Sequence, residues 1–295
     1  MEFRFFLSDP FSLFTSLFLV GLIASLWIKK SPLIWGTGLG IYAVLTIIAG
    51  RLTLVPWLIL GVSCISYWYF VRAKNRIVKA VSLVSFVAAS AVVLLHQVPG
   101  TTNWKFLSEF RLSPNALPLS LYLNYDAPVV GFFMLAIGAT LISTRKEWWR
   151  ILQTVAPISV AVILFMIPAS LALGYVTFDP KTTSIFFVWA ITNLLFTCVT
   201  EEAIFRLFIQ TTFIRWFSKF KYGWLWGIIL ASFCFGLAHL AGGPLYVLLA
   251  SIAGLFYGYA YYKTQRIEAS ILTHFILNAF HFLLFTYPAL ESAIK

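Results

Sequence analysis

Apolar residues dominate this chain in long runs and do not alternate with polar ones. Ten such runs can be marked, at about 11–28, 33–50, 53–71, 78–96, 127–143, 151–174, 184–212, 222–240, 244–262 and 269–287. Each is close to the roughly 20 residues that an α-helix needs to cross a bilayer's hydrocarbon core. Strict apolar–polar alternation, the mark of a membrane barrel strand, is missing. In lipid the backbone must satisfy its own hydrogen bonds, which a helix does within one segment. The expected fold class is therefore all-α, a polytopic transmembrane helical bundle of about ten spans. The longest polar interruption, 97–126, holds Pro99, Trp104, Pro114, Pro118, Tyr122 and Tyr125. That mixture predicts a connector lying at the membrane interface, with short helices.

Composition closes off the other classes. Of 295 residues, 61% are hydrophobic, 18% aromatic and 11% charged, with a mean hydropathy of +0.90. A soluble domain carries about 25% charged residues, so neither a soluble globule nor a disordered chain fits. The excess of 21 Lys and Arg over 10 Asp and Glu gives a net charge of +11. These cations fall mainly in alternate loops: Lys29 and Lys30; Arg72, Lys74, Arg76 and Lys79; Arg145, Lys146 and Arg150; Arg215, Lys219 and Lys221; Lys263 and Arg266. The positive-inside rule puts those loops in the cytoplasm and both termini outside, N-out and C-out. No basic stripe exists elsewhere, so a nucleic-acid partner is not expected. Cys64, Cys198 and Cys234 lie in apolar stretches without a CxxC pair and read as core residues. The first apolar run follows Glu2, Arg4 and Asp9 and lacks a basic lead-in, so it reads as a retained first span.

Within the apolar runs, acids are rare. Glu109, Asp126, Glu147, Asp179, Glu268 and Glu291 fall in loops, tails or span edges, whereas Glu201 and Glu202 lie inside a span with Arg206 beyond them. A carboxylate inside a span costs several kcal/mol unless paired or wetted, and marks a functional site. Glu202 and Arg206, four apart on one helix face, can satisfy each other. Glu201 points about 100° away and is left over. His239 sits four residues after Phe235; His274 and Asn278 share a helix face, with His281 extending that stripe. Helical rise puts Glu201 about 21 Å and His239 about 26 Å from their cytoplasmic loops, but His274 only about 12 Å, so the last loop must dip or the last helix tilt.

These residues carry a resemblance. Glu201-Glu202-Ala-Ile-Phe-Arg206 matches EExxxR, Phe235-Gly-Leu-Ala-His239 matches FxxxH, and His274-Phe-Ile-Leu-Asn278 matches HxxxN. Three motifs in this order on successive late spans resemble the CPBP family, CAAX proteases and bacteriocin-processing enzymes, which are intramembrane glutamic-type proteases. Gly236 to Tyr246 and the Gly254-Leu-Phe-Tyr-Gly258 step add to the likeness with bacterial members. The resemblance covers about 185–287 and divides the chain into an N-terminal region 1–180 of about six spans, role unknown, and a protease-like core 181–295 of about four.

The resemblance implies an intramembrane endopeptidase. Glu201 would be the general base that activates water, His239 would help hold that water, and His274 with Asn278 would bind the oxyanion. Glu202 and Arg206 would orient the others. No cofactor is expected; a zinc ion on Glu201, His239 and His274 is the alternative, disfavoured because no carboxylate partner is apparent for either histidine. HExxH, GxSG and a pair of intramembrane aspartates are absent, which excludes three other intramembrane protease chemistries. A proton-coupled transporter would also bury Glu, Arg and His, but no inverted repeat is visible. Gly254 and Gly258 read as a close-packing step. The implied partners are a membrane-associated protein or peptide substrate and the lipid bilayer. The implied location is a plasma membrane, multi-pass, of a bacterial cell.

Overall fold

Each apolar run becomes a helix, and the starts are capped by residues visible in the sequence. The computed structural model describes residues 9–294; Glu2, Arg4 and Lys295 lie outside them. Among the described residues ten helices follow in order. They are α1 Pro10–Ile28, α2 Pro32–Ile48, α3 Leu54–Arg72, α4 Arg76–Leu94, α5 Ala127–Gly138, α6 Arg145–Ala172, α7 Ile185–Trp216, α8 Gly223–Leu237, α9 Pro244–Thr264 and α10 Ile267–Leu284. Seven of them are long and apolar enough to cross a membrane, while α2, α5 and α8 are shorter. The chain is a multi-pass membrane protein of all-α class.

Caps explain the helix boundaries. Asp9 accepts from Ser12 N at the start of α1, Asn75 from Ile77 N and Val78 N at α4, and Asp126 from Ala127 N at α5. Thr144 and Glu147 form a reciprocal capping box at α6. Proline stands in the first turn of α1, α2, α5 and α9, where its missing N–H costs nothing.

Two expectations are corrected. The 97–126 connector has no short helices; it contains a two-stranded sheet, β1 Trp104–Phe110 and β2 Leu119–Leu123. In β1 the buried Trp104 and Phe106 alternate with more exposed neighbours, a two-residue period. Pro114 and Pro118 between the strands would break a helix there. The run 127–143 is also not one full span, because its helix stops at Gly138 and Ala139 is extended. At 12 residues α5 is about 18 Å long, short of a bilayer's hydrocarbon. Nearly all of it is buried, which makes it a core helix of its unit.

The chain forms two compact units. The first takes residues up to Phe106, Leu121–Ala139 and Leu195–Thr200. Its α3 and α4 meet through serines: Ser63 and Ser90 Oγ atoms are 2.6 Å apart, and Ser66 Oγ donates to Ser85 Oγ at 2.9 Å. Small hydroxyl residues let helices approach closely in lipid and bond across the gap. Arg51 bonds Asp9 at 2.5 Å and Ser12 at 2.8 Å, tying the α2–α3 loop to the start of α1.

The second unit takes Leu107–Ser120, Thr140–Leu194 and everything from Glu201 onward, so α6 packs with α9 and α10. The start of α10 lies inside it: Ile267, Glu268, Ala269 and Ser270 are all buried, and Glu268 Oε1 accepts from Ile142 N at 2.7 Å. Arg266 bonds the Thr140 carbonyl and Glu147. The start of α10 is therefore buried within its unit, while Lys263 and Gln265 just before it stay exposed. At the other end of α10, Lys181 Nζ collects the carbonyls of Asp179, Phe282 and Phe285, where the helix dipole favours a cation. Burial pushes the Lys181 ammonium below its usual range, and neighbouring Asp179 opposes that shift.

Candidate active site

Helix α7 carries the first motif, and its winding is irregular there. Two stretches with i→i+5 closures, Asn193–Cys198 and Ala203–Gln210, flank the short α-helical turn Val199–Glu202. Such segments cluster at functional sites because each wide turn absorbs an extra residue and re-aims the side chains around it. In uniform α-helix, Asn193 and Glu201 would be offset by about 80°; one extra residue in the turn removes about 100° and nearly aligns them.

The second unit brings Glu201, Glu202, Arg206 and His274 together. Glu202 is fully buried and commits one oxygen each way: Oε1 accepts from His274 Nδ1 at 2.9 Å, and Oε2 from Arg206 Nε at 2.9 Å. Since an ionised carboxylate only accepts, His274 must donate from Nδ1, which turns Nε2 towards other work. That Nε2 lies 3.9 Å from Glu201 Oε2. This is too long for a direct hydrogen bond and suits a water that bridges the two groups from one side. Glu201 Oε2 is buried and has no hydrogen-bond partner in the protein, although its side chain as a whole is 26% exposed.

Aromatic rings hold the imidazoles. Tyr257 of α9 stacks on His274 with centroids 4.5 Å apart and planes 14° from parallel, and Phe235 of α8 meets the same ring edge-on at 5.6 Å. His239 is not inside α8 as expected. The helix ends at Leu237, and His239 stands beyond its cap, before a turn at Leu240–Gly242. Gly243 then takes φ +87°, a conformation that side chains oppose, and Pro244 starts α9. His239 Nδ1 donates to the Phe235 carbonyl at 2.8 Å, and its ring lies 4.7 Å from Phe235 and 4.9 Å from Tyr246.

Asn278 Nδ2 donates to Asn193 Oδ1 at 3.2 Å. Sequence reasoning missed Asn193. The signal was there, an amide in the apolar run ahead of Glu201, but uniform helical arithmetic turns it to another face. Trp189 and Phe282, stacked at 4.3 Å, pin the same pair of helices together one turn further out. His281, expected to extend the polar stripe, instead bonds the Thr286 carbonyl through Nε2, and His96 Nδ1 faces Asn103 Nδ2 at 3.3 Å in the first unit. Neither joins the cluster.

The ground for disfavouring zinc also changes, because His274 does have a carboxylate partner in Glu202. Among the described residues, no group of three or more His, Cys, Asp or Glu side chains is arranged to hold a metal ion.

Gly254 and Gly258 do more than bring helices close. A Cβ built on Gly254 would lie 3.4 Å from Arg206 Nη2, and one on Gly258 would lie 3.4 Å from Arg206 Nη1 and 2.7 Å from Gln210 Oε1. The glycine step of α9 makes room for a buried guanidinium.

Residues 182–280, about a third of the chain, match the family model described as Rce1-like, type II CAAX prenyl endopeptidase Rce1-like. No curated protein and no solved structure matches the chain. The matched stretch contains every residue of the three motifs, so the similarity to Rce1-like CAAX endopeptidases falls on the segment that builds the candidate site.

Proposed function

We propose that the chain is a metal-free, glutamate-type intramembrane endopeptidase acting on a membrane-associated protein or peptide, in the plasma membrane of a bacterial cell. The observation that carries this reading is the 3.9 Å gap between Glu201 Oε2 and His274 Nε2. A water bridging the two atoms from the side has a carboxylate to take its proton and an imidazole to orient it. Glu201 acts as general base, the water oxygen attacks the substrate carbonyl carbon, and negative charge develops on the carbonyl oxygen. Asn278 donates to that oxyanion. His274 does so from Nε2 once its ring carries a proton on both nitrogens, with Nδ1–H remaining on Glu202. His239, at the end of α8, helps hold the water. When the C–N bond breaks, the proton held by Glu201 passes to the leaving amine. Glu202 and Arg206 touch no reacting atom in this scheme; with Asn193 they are positioning residues. Glu201, His239 and Asn278 are partly exposed, whereas Glu202 and Arg206 are fully buried, which supports reactive roles for the first three and an anchoring role for the pair; Asn193 is partly exposed and His274 buried.

The test uses the purified chain in lipid nanodiscs with peptides ending in a prenylated CAAX sequence, unprenylated counterparts and leader peptides, in ¹⁸O-labelled water. Wild type is expected to release a product with one ¹⁸O in its new carboxylate. Glu201→Gln is expected to lower turnover by about 10²–10⁴-fold while leaving substrate binding intact. Unchanged turnover in Glu201→Gln, or proton flux in liposomes with no cleavage of any peptide, would overturn the reading.

A further inference from the structure

Arg206 is fully buried, yet only its Nε is bonded to protein, at Glu202. Nη1 and Nη2 have no hydrogen-bond partner in the protein. Two other buried polar atoms share that condition nearby: Gln210 Oε1 and Ser232 Oγ. Gln210 uses its amide nitrogen on the Gly258 carbonyl at 2.9 Å, which fixes Oε1 as an unmet acceptor. The glycine step locates the atoms. Nη1 and Gln210 Oε1 both come within 3.4 Å of the Cβ position of Gly258; Nη2 and Ser232 Cβ both come within 3.4 Å of that of Gly254. Phe235 covers one face of the guanidinium, with its ring centroid 5.2 Å from Cζ, so that face cannot supply the missing acceptors.

We propose that Arg206, Gln210 and Ser232 form a buried binding site for two water molecules, one shared by Arg206 Nη1 and Gln210 Oε1, the other by Arg206 Nη2 and Ser232 Oγ. Internal waters settle where two to four buried polar atoms would otherwise go unsatisfied, and each of these positions offers both a charged donor and an oxygen acceptor. A small anion would meet the same donors. However, the charge of Arg206 is already matched by Glu202, and an added anion would leave the site negative in an apolar surround. Hydration here holds the guanidinium in place, so that Glu202 keeps one oxygen for His274. The site does not depend on the enzymatic reading and would stand if that reading fell.

The experiment is a crystal of the full chain in a lipid mesophase, diffracting well enough to show ordered water, grown once with chloride and once with bromide. Two peaks at hydrogen-bond distance from Nη1 and Nη2, with no anomalous signal in bromide, are expected. In Ser232→Ala the Nη2 peak should disappear and the Nη1 peak remain. Bromide signal at either position would make the ligand an anion and overturn the proposal. So would direct contact of Arg206 Nη1 with Gln210 Oε1 and no peak between them. A Ser232→Ala variant that keeps both peaks would overturn the second water.

Discussion

Replacing Glu202 by glutamine separates two roles that one carboxylate performs. Its oxygens each make a 2.9 Å bond, one to Arg206 and one to His274, with all three groups buried. Glutamine can still accept from His274 Nδ1 through its carbonyl, but its NH2 group then faces Arg206 Nε, donor against donor. Removing one partner of a buried pair leaves an uncompensated charge and costs about 3–5 kcal/mol. Against a total stability of about 5–15 kcal/mol, that loss should be plain in denaturant titration in mixed micelles. Removing both charges, as in Glu202→Gln with Arg206→Met, should restore most of the stability, because well-packed apolar replacements of buried pairs are often neutral or better. Turnover should not return with it. Without a carboxylate on Nδ1 and with the Glu202–Arg206 anchor gone, His274 loses its fixed orientation, and cleavage should stay about 10²–10⁴-fold down. Two results would refute the reasoning: a Glu202→Gln single variant within about 1 kcal/mol of wild type, or a double variant that cleaves normally.

Three further outcomes follow from the geometry. Asn193→Ala should lower kcat about tenfold with KM little changed, since it removes the Asn193–Asn278 bond but keeps Asn278, whereas Asn278→Ala should cost about 10²–10³-fold; peptide-cleavage kinetics separate the two. Glu268→Ala removes the acceptor of the Ile142 N–H and should destabilise the chain by about 1–3 kcal/mol, read as a lower melting temperature. Asp9, where burial is outweighed by the Ser12 and Arg51 bonds, has a carboxyl below its ordinary value of 3.8. Its stabilising contribution is present above that value and is lost as pH falls through the depressed one; being partly exposed, it is worth at most about 1 kcal/mol. Asp9→Asn should flatten that part of the acid-unfolding curve.

The hydrophobic runs exposed most of the fold because lipid permits little else: an apolar stretch of sufficient length has to be a helix, and all ten runs are. What escaped was local. The β1–β2 sheet hid because seven- and five-residue strands make only a short alternation. The end of α8 before His239 hid because Ala238 and Leu240 continue the apolar run while the backbone has already turned. At the site, spacing paired Glu202 with Arg206, but the bond from Glu202 to His274 joins residues 72 apart in sequence. No periodicity reports such a contact. The small-residue step at Gly254 and Gly258 was visible, but what it accommodates was not, because Arg206 comes from another helix.

The widened winding of α7 makes shape and chemistry mutually dependent. Left to itself, a polypeptide helix relaxes to tighter coils, which would swing Asn193 off the azimuth of Glu201. The grip of α10 on both ends of that stretch, through the Asn278–Asn193 and His274–Glu202 bonds, opposes the relaxation. The side chains proposed to perform hydrolysis are thus also the clasp that keeps their own scaffold unwound.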